Sequence, residues 1–506
     1  MDRLPLIGGS YSARSILANC QRCLNLFPEL NRKDSPCPVT HYQRPGFLPL
    51  TSPNFPVPGR GAYQASQGDC YVVLGSTVYY VSPAWELVPI GQITAGRSNI
   101  CYMQDNGTQV MLVDGSSQGW FWNLADKGAT SFSSITDPSF TGADRVDYID
   151  TFLLWNVPGT QDFRSSLSNQ IQPMDPTYTA GKTDYPDPLQ TLIVNRHEIL
   201  LPGLFKGEIW YDAGNAQFPF AELPGYNIEH GIGAKYSIAA ADISVFWLGR
   251  DQQSGEQGMV FRQRGYQTSR ISNHALEYQM QLMAEAGADL SDAVGYTYQQ
   301  GGHVFYVLSF VSGNQTWVFD DAIADPEAAW AQRCWTDANG GLNRDRSNVG
   351  CPMYGKIVVL DWENGTLYSL DRKTYTDTVS GTSGPITYLR TFPHLMSGLT
   401  LQGQAVLANG KMVQHSRFLL DATTGTGPRL DANGDPPKFT LKYSDDRGVT
   451  WSASVLQSAG EQGKYMTRTE WKGLGMAMDR VYEVSWSFPG EVALNGAWVE
   501  GSVLNQ

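Results

Sequence analysis

The sequence of 506 residues is poor in charge and in cysteine, and it has no long apolar run. Only 17% of its residues are charged while 12% are aromatic, a balance that excludes a disordered chain. Seven cysteines, odd in number and scattered, exclude a dense disulfide framework. No window reaches the roughly 18 apolar residues of a membrane-spanning helix. The opening Met1-Asp2-Arg3-Leu4-Pro5-Leu6-Ile7 lacks the apolar stretch and cleavage pattern of an export signal, so synthesis in the cytoplasm is expected. Lys and Arg number 36 against 49 Asp and Glu, a formal charge of −13. That excludes a nucleic-acid reader with a basic face, although an acidic wall lets nucleic acid pass without sticking.

Catalytic signatures are absent too. There is no G-x-S-x-G, no H-E-x-x-H and no phosphate-binding loop. The seven histidines (His41, His197, His230, His274, His303, His394 and His415) show no metal-ligand spacing. The paired acids Asp320-Asp321 and Asp445-Asp446 fall at expected turns, where carboxylates bond to backbone amides. One cluster could hold a metal. Cys20 and Cys23 form a C-x-x-C, followed by Cys37 and His41, and zinc accepts three thiolates and an imidazole. The nearby Pro28, Pro36 and Pro38, and the lack of a second knuckle, favour free and partly buried thiols instead. The expectation is a chain with no metal, no cofactor and no catalytic residues, hence not an enzyme.

What the sequence does have is 52 glycines and many short alternating strands. Aromatic-rich runs recur at 78–81, 120–123, 152–155, 208–211, 259–262, 317–320 and 367–370. Hairpin turns are evident at Gly313-Asn314 and Asn364-Gly365, each between alternating apolar runs. A period of about 45 residues with several strands per unit points to a β-propeller of six or seven blades over 65–380. The repeats carry no Trp-Asp or kelch signature, and an array of β-sandwiches is the alternative. Residues 1–64 are Pro-rich and read as an extended arm packing on a second domain. That domain, 381–506, reads as a β-sandwich-like platform with long strands at 399–407 and 413–420 and a loop at 421–437. Helix is scarce. One is expected from Ser272 to about Glu285, capped by Ser272 or Asn273, with Ala275, Leu276, Met280 and Met283 on its apolar face. Asp325-Pro326-Glu327 reads as the start of another.

The run Ser444-Asp445-Asp446-Arg447-Gly448-Val449-Thr450-Trp451 resembles the Asp-box of sialidases and other β-propellers. Its physical reading is a hairpin turn in which Ser444 and Asp446 bond to turn amides, Gly448 takes a left-handed conformation, and Trp451 begins the return strand and packs beneath. The motif is structural. A sialidase also needs arginines from several blades to clamp a carboxylate, whereas Arg250, Arg262, Arg264 and Arg270 lie close together in sequence. A glycan-binding or sialidase-like propeller is therefore the alternative reading.

Several stretches, taken in order, resemble the packaged-DNA stabilisation proteins of short-tailed bacteriophages, also called tail accessory or tail nozzle proteins. They are GGSYSARSILANCQRCLNLFPE with the later RPGFLPL, then the central LFKGEIWYDAGNAQFPFAELPGYNIEHGIGAKYSIAAADISVFWLGRD. RISNHALEYQMQ and YQQGGHVFYVLSF follow, and the C-terminal LKYSDDRGVTWS and GEQGKYMTRTEWKGLGMAMDRVYEVSWS close the series. The resemblance implies a structural virion protein of the phage tail, made in the host cytoplasm and combining a propeller with a β-platform. It implies a homohexameric ring below the portal and adaptor proteins that extends the channel, retains packaged DNA and gates its ejection. Tail fibre, tailspike or needle proteins are implied partners, and double-stranded DNA passes without sequence-specific binding. No catalytic residue is implied.

Overall fold

The computed structural model describes residues 2–4, 6, 8–32, 34–51, 56–250, 257–396, 411–430 and 434–504. Seven antiparallel sheets form a propeller, and each of the seven aromatic runs lies in a different one. Their innermost strands are Gly59–Gln64, Tyr102–Asp105, Val146–Ile149, Ile193–Asn195, Ala239–Ala241, Val294–Gln300 and Ser347–Met353, in blades 1 to 7. Each adjoins the next around the circle, and the seventh adjoins the first.

The hydrophobic core is divided among the blade interfaces, because each strand alternates its side chains between two packed faces. Trp122 fills the interface of blades 1 and 2, Trp155 that of 2 and 3, Trp247 that of 4 and 5, and Trp330 that of 5 and 6. All four are essentially inaccessible. The helix His274–Glu285 connects blade 5 to blade 6. Asn273 caps it by accepting from the Leu276 amide, and Ala275, Leu276, Met280 and Met283 are its buried face. Asp325 caps a single 3-10 turn, Pro326–Ala328, in place of the longer helix its signature suggested.

Two stretches assigned to the arm on sequence grounds are propeller strands. Gly59–Gln64 is the innermost strand of blade 1, and Gly46–Pro49 pairs with Leu367–Asp371 as the outermost strand of blade 7. A blade cannot leave its outer edge unpaired without exposing backbone amides and carbonyls, and the incoming chain covers it here.

The platform is a two-layer β-structure. One sheet runs Glu470–Lys472, Val413–Ala422, Leu494–Val503, Val39–Gln43, Leu26–Leu30, with Asp2–Leu4 also on Leu494–Val503. The other runs Cys23–Leu24, Tyr388–Thr391, Asp479–Trp486, Lys438–Ser444, Val455–Ser458. Phe418, Trp471, Phe439, Tyr482, Trp486 and Leu494 fill the space between them. The arm is thus woven into both layers rather than laid on them. The second sheet is continuous with the propeller, since Gln332 in the outer strand of blade 6 pairs in parallel with Leu24. The strand expected at 399–407 lies outside the described residues.

Candidate functional site: a closed bore and a stitched junction

The propeller bore is filled by its own chain. Tyr236 lies in blade 5, between the short strands Gly231–Ile232 and Ala239–Ala241 that both pair with Ser244–Arg250, yet it packs with Ile100 ahead of blade 2 and Val294 of blade 6, beside Tyr102 of blade 2 and Val349 of blade 7. Residues from opposite sides of a ring meet only near its axis. The Tyr102 and Tyr236 rings stack at 6.3 Å and 26°. The segment is tied in by its backbone. The Gly295 amide donates to the Tyr236 carbonyl at 2.9 Å, the Tyr306 hydroxyl to Ser237 at 2.8 Å, and Arg145 Nη1 to Ile238 at 3.0 Å. Lys235 pairs with Asp144 of blade 3 at 2.6 Å. Gly115 permits this approach: its φ is +75°, and a Cβ there would stand 3.1 Å from the Tyr236 hydroxyl and 3.2 Å from Asp144 Oδ1. Burial, and then the Asp144 charge, raise the Tyr236 hydroxyl pKa far above its ordinary value, so it stays neutral.

The junction of arm, propeller and platform is held by two arginines and a histidine. Arg44, in the arm, forms a two-pronged pair with Asp377 at 2.5 and 3.1 Å, both side chains 2% exposed. Its Nε donates to Asn25 Oδ1 at 3.0 Å; that oxygen accepts from the Cys334 amide, and Asn25 Nδ2 donates to the Thr387 carbonyl. Arg390 of the platform donates to the carbonyls of Gly8, Gly9 and Arg22 and to Gln21 Oε1. His303 of blade 6 lies 2.6 Å from Asp320 and 3.6 Å from Glu29 of the arm, its ring stacked on Phe305 and edge-on to Phe27. The Asp320 hydrogen bond raises its pKa above the ordinary histidine value, against the effect of burial.

In the Asp-box run, Ser444 Oγ donates to Asp446 at 2.6 Å and accepts from the Gly448 amide at 2.7 Å. Asp446 also accepts from the Thr450 amide at 2.8 Å and the Thr450 hydroxyl at 2.5 Å. The bonds from the Ser444 and Thr450 hydroxyls hold its carboxyl at about 2. Asp445 turns the other way and receives both prongs of Arg480 at 2.5 and 2.8 Å; that guanidinium lies 4.2 Å over Tyr443. Gly448 has φ +99°, and a Cβ there would lie 2.8 Å from Cys20 Sγ. The turn is therefore a seat for the arm. Trp451 departs from expectation: it is half-buried, and the return strand is Val455–Ser458. The fold of Thr450 back onto Asp446 and the pairing of Ser452 with Tyr443 interrupt the strand first. Trp471, 1% exposed, occupies the core.

The four candidate zinc ligands are dispersed. Cys20 Sγ lies 4.0 Å from His394 Nε2, the Cys23 thiol donates to the Leu26 carbonyl, Cys37 Sγ contacts Asp421, and His41 Nε2 lies 2.8 Å from the Gly8 carbonyl. Burial pushes the Cys20 and Cys23 thiols up to about 11 and holds His41 well below the ordinary histidine value. Among the described residues no group of three or more such side chains could hold a metal ion. The arginines also diverge: Arg262 and Arg264 both pair with Asp321, and Arg270 pairs with Glu277. Sequence reading missed Tyr236, Arg44, Asp377, Arg390 and His303. Nothing local marks them, because their partners lie on distant blades or in the other domain.

No curated protein sequence matches the chain. Among solved structures, a chain from a Saccharomyces cerevisiae complex of Dbp5 bound to Nup159, Gle1, IP6 and ADP aligns at 9% identity and TM-score 0.37, over 69% of this chain and 98% of that one. A catalytically inactive virginiamycin B lyase from Staphylococcus aureus with quinupristin aligns at 6% identity and TM-score 0.41, over 64% and 97%. Likenesses this distant add nothing to the assignment. Two family models do match, described as the β-propeller of bacteriophage P22 Gp10 over residues 49–375 and its β-sandwich over 399–502. The chain belongs to the bacteriophage P22 Gp10 family, the packaged-DNA stabilisation or tail nozzle proteins of short-tailed phages, and is a structural component of the phage tail.

Proposed function

We propose that this chain is the nozzle subunit: six copies close into a ring below the portal and adaptor proteins, retain packaged DNA and gate its ejection. The observation that carries this is the match of both domains, in order, to one tail-protein family. The filled bore supports a specific geometry. A bore occupied by one tyrosine and its backbone cannot admit a duplex, so in this reading DNA runs along the ring axis between copies and the propellers stand outside the channel. A closed ring needs two different patches per subunit, one meeting the other on the neighbour. The arm-laced platform supplies a stiff body for such contacts and for docking the adaptor and the fibre, tailspike or needle proteins. The net charge of −13 suits a wall along which DNA slides without the salt-dependent adhesion that lysine contacts create.

The test is deletion of the gene from the phage. Capsids that package DNA and then leak it, restored by the chain supplied in trans, are the expected result. Particles that keep their DNA and carry complete tails would refute the sealing role.

A further inference from the structure

The platform presents two apolar surfaces that neither the bore nor the junction uses. At one end, Val455 and Leu456 are exposed on Val455–Ser458, the last strand of the second sheet. The loop that follows adds Tyr465 and Met466, 67% and 96% exposed. A fixed backbone holds these two side chains out. The Thr424 hydroxyl donates to the Tyr465 carbonyl at 3.0 Å, the Gly463 amide to the Gly425 carbonyl at 2.9 Å, and the Thr467 hydroxyl to the Lys464 carbonyl at 2.9 Å. Gly425 has φ +73°, and a Cβ there would stand 2.6 Å from the Lys464 carbonyl carbon. An apolar group of this kind marks a contact surface, and a loop already ordered loses little entropy when it is covered.

The second surface lies at the opposite end of the strand Val413–Ala422. Met396 pairs with Asp479 and Val413 with Ala477, so the chain leaves and returns at one place. Met476, Met478 and Val503 are exposed around that root. Residues 397–410, which depart from it, lie outside the described ones. Their sequence includes Leu399, Leu401, Val406 and Leu407 and no charged residue. This segment is too short to cover the first surface of its own subunit. Val413–Ala422 has ten residues and is about 30 Å long, and Tyr465 is bonded to Thr424 beyond its far end. The sixteen residues 397–412 start and finish at the root, so fully extended they reach about 26 Å, with none left to lie across a surface.

We propose that segment 397–410 of one copy docks on Val455, Leu456, Tyr465 and Met466 of the next copy. This inference rests on the ring reading above and names the contact that closes the ring. A closed ring needs two unlike patches on each subunit, and root and receiving surface stand at opposite ends of the platform. The charge-free segment suits an apolar patch because it brings no ion to be stripped of water.

Photo-crosslinking in assembled tails tests this, with p-benzoylphenylalanine in place of Met466 or, separately, of Leu456 in a full chain co-expressed with the unmodified one. A covalent product of twice the chain's mass is expected, joining the labelled peptide to the tryptic peptide 391–411. Leu401→Asp in the unlabelled copies should lower the yield of that product at least about fivefold. Images of the same tails separate the two readings. If a ring is present but neither position crosslinks, or the crosslinks stay within one chain, join another segment or another protein, or survive Leu401→Asp undiminished, the contact is wrong and the ring stands. Complete tails without a ring of this chain would overturn both.

Discussion

Each of blades 1 to 4 takes all its strands from one uninterrupted stretch of chain, whereas each platform sheet mixes strands that precede Gln43 with strands that follow Thr387. The propeller is therefore built from hairpins whose partners are near in sequence, and the platform from ends that must meet. The same backbone chemistry serves both, but the entropy of closing the loops differs. The comparison teaches where cooperativity resides. Blade 6 pairs with Cys23–Leu24 of the arm and blade 7 with Gly46–Pro49, so these two blades are coupled directly to the segment that laces the platform.

The strongest way to break this comparison is at the junction. Asp377→Ala leaves Arg44 buried without its counter-charge and should cost about 3–5 kcal/mol. Because Arg44 holds Cys334 and Asp377 directly and Thr387 through Asn25, a single denaturation transition should shift as a whole. A platform that unfolds separately, with the propeller unmoved, would show that the stitching is local.

Within the platform, two tryptophans should behave unlike each other. Trp471→Ala removes an inaccessible ring from the core and should cost about 3–5 kcal/mol. Trp451→Ala, at a half-buried position, should cost about 1–2 kcal/mol. Urea titrations of the pair measure the difference, and equal effects would mean that the Asp-box tryptophan supports more than its burial shows.

Two histidines sharpen the contrast through pH. His303 clamps blade 6 to the arm, and its folded pKa is raised above 6.5. Its contribution is full below 6.5 and is lost as pH rises through the folded value. His415 of the platform, hydrogen-bonded to Tyr482 at 3.1 Å, is lowered to about 4 by burial and by the nearby Arg480. Its contribution is full above 6.5 and is lost as pH falls through about 4. Melting temperature against pH should lose its alkaline slope in His303→Gln and part of its acid slope in His415→Gln.

The smallest expected effect is at Asp446. Asp446→Ala should lower the melting temperature less than Trp451→Ala and should speed hydrogen exchange at the Gly448 and Thr450 amides. Since the carboxyl is held at about 2, the wild-type turn should keep its protection down to pH near 3 and lose it below about 2.

The propeller was legible because its signal is local. An aromatic strand marks each blade within a short window, Gly313-Asn314 and Asn364-Gly365 mark the turns of two of them, and the helix carried its cap and apolar face in adjacent letters. The arm's role was not legible. Nothing in Gly46-Phe47-Leu48-Pro49 says that its partner is Tyr368, and nothing in Cys23-Leu24 says that it bridges Gln332 and Leu389. The Asp-box bonds could be drawn from residue types alone, but the tryptophan's place could not, because it depends on where the strand resumes. Tyr236 stands in a stretch without alternation, and only ring closure brings it to the axis.

The arm's pairing has a consequence for synthesis. Asp2–Leu4, Leu26–Leu30 and Val39–Gln43 leave the ribosome long before Leu494–Val503, the strand on which their sheet is laid. At about 5–20 residues per second the wait is on the order of 20–100 s. Throughout it, the propeller can assemble hairpin by hairpin, while Asp2–Leu4 lacks its partner and the hairpin of Leu26–Leu30 with Val39–Gln43 keeps one edge open. The nascent subunit thus carries an open β-edge until Leu494–Val503 emerges, and such an edge is a template on which another chain can pair.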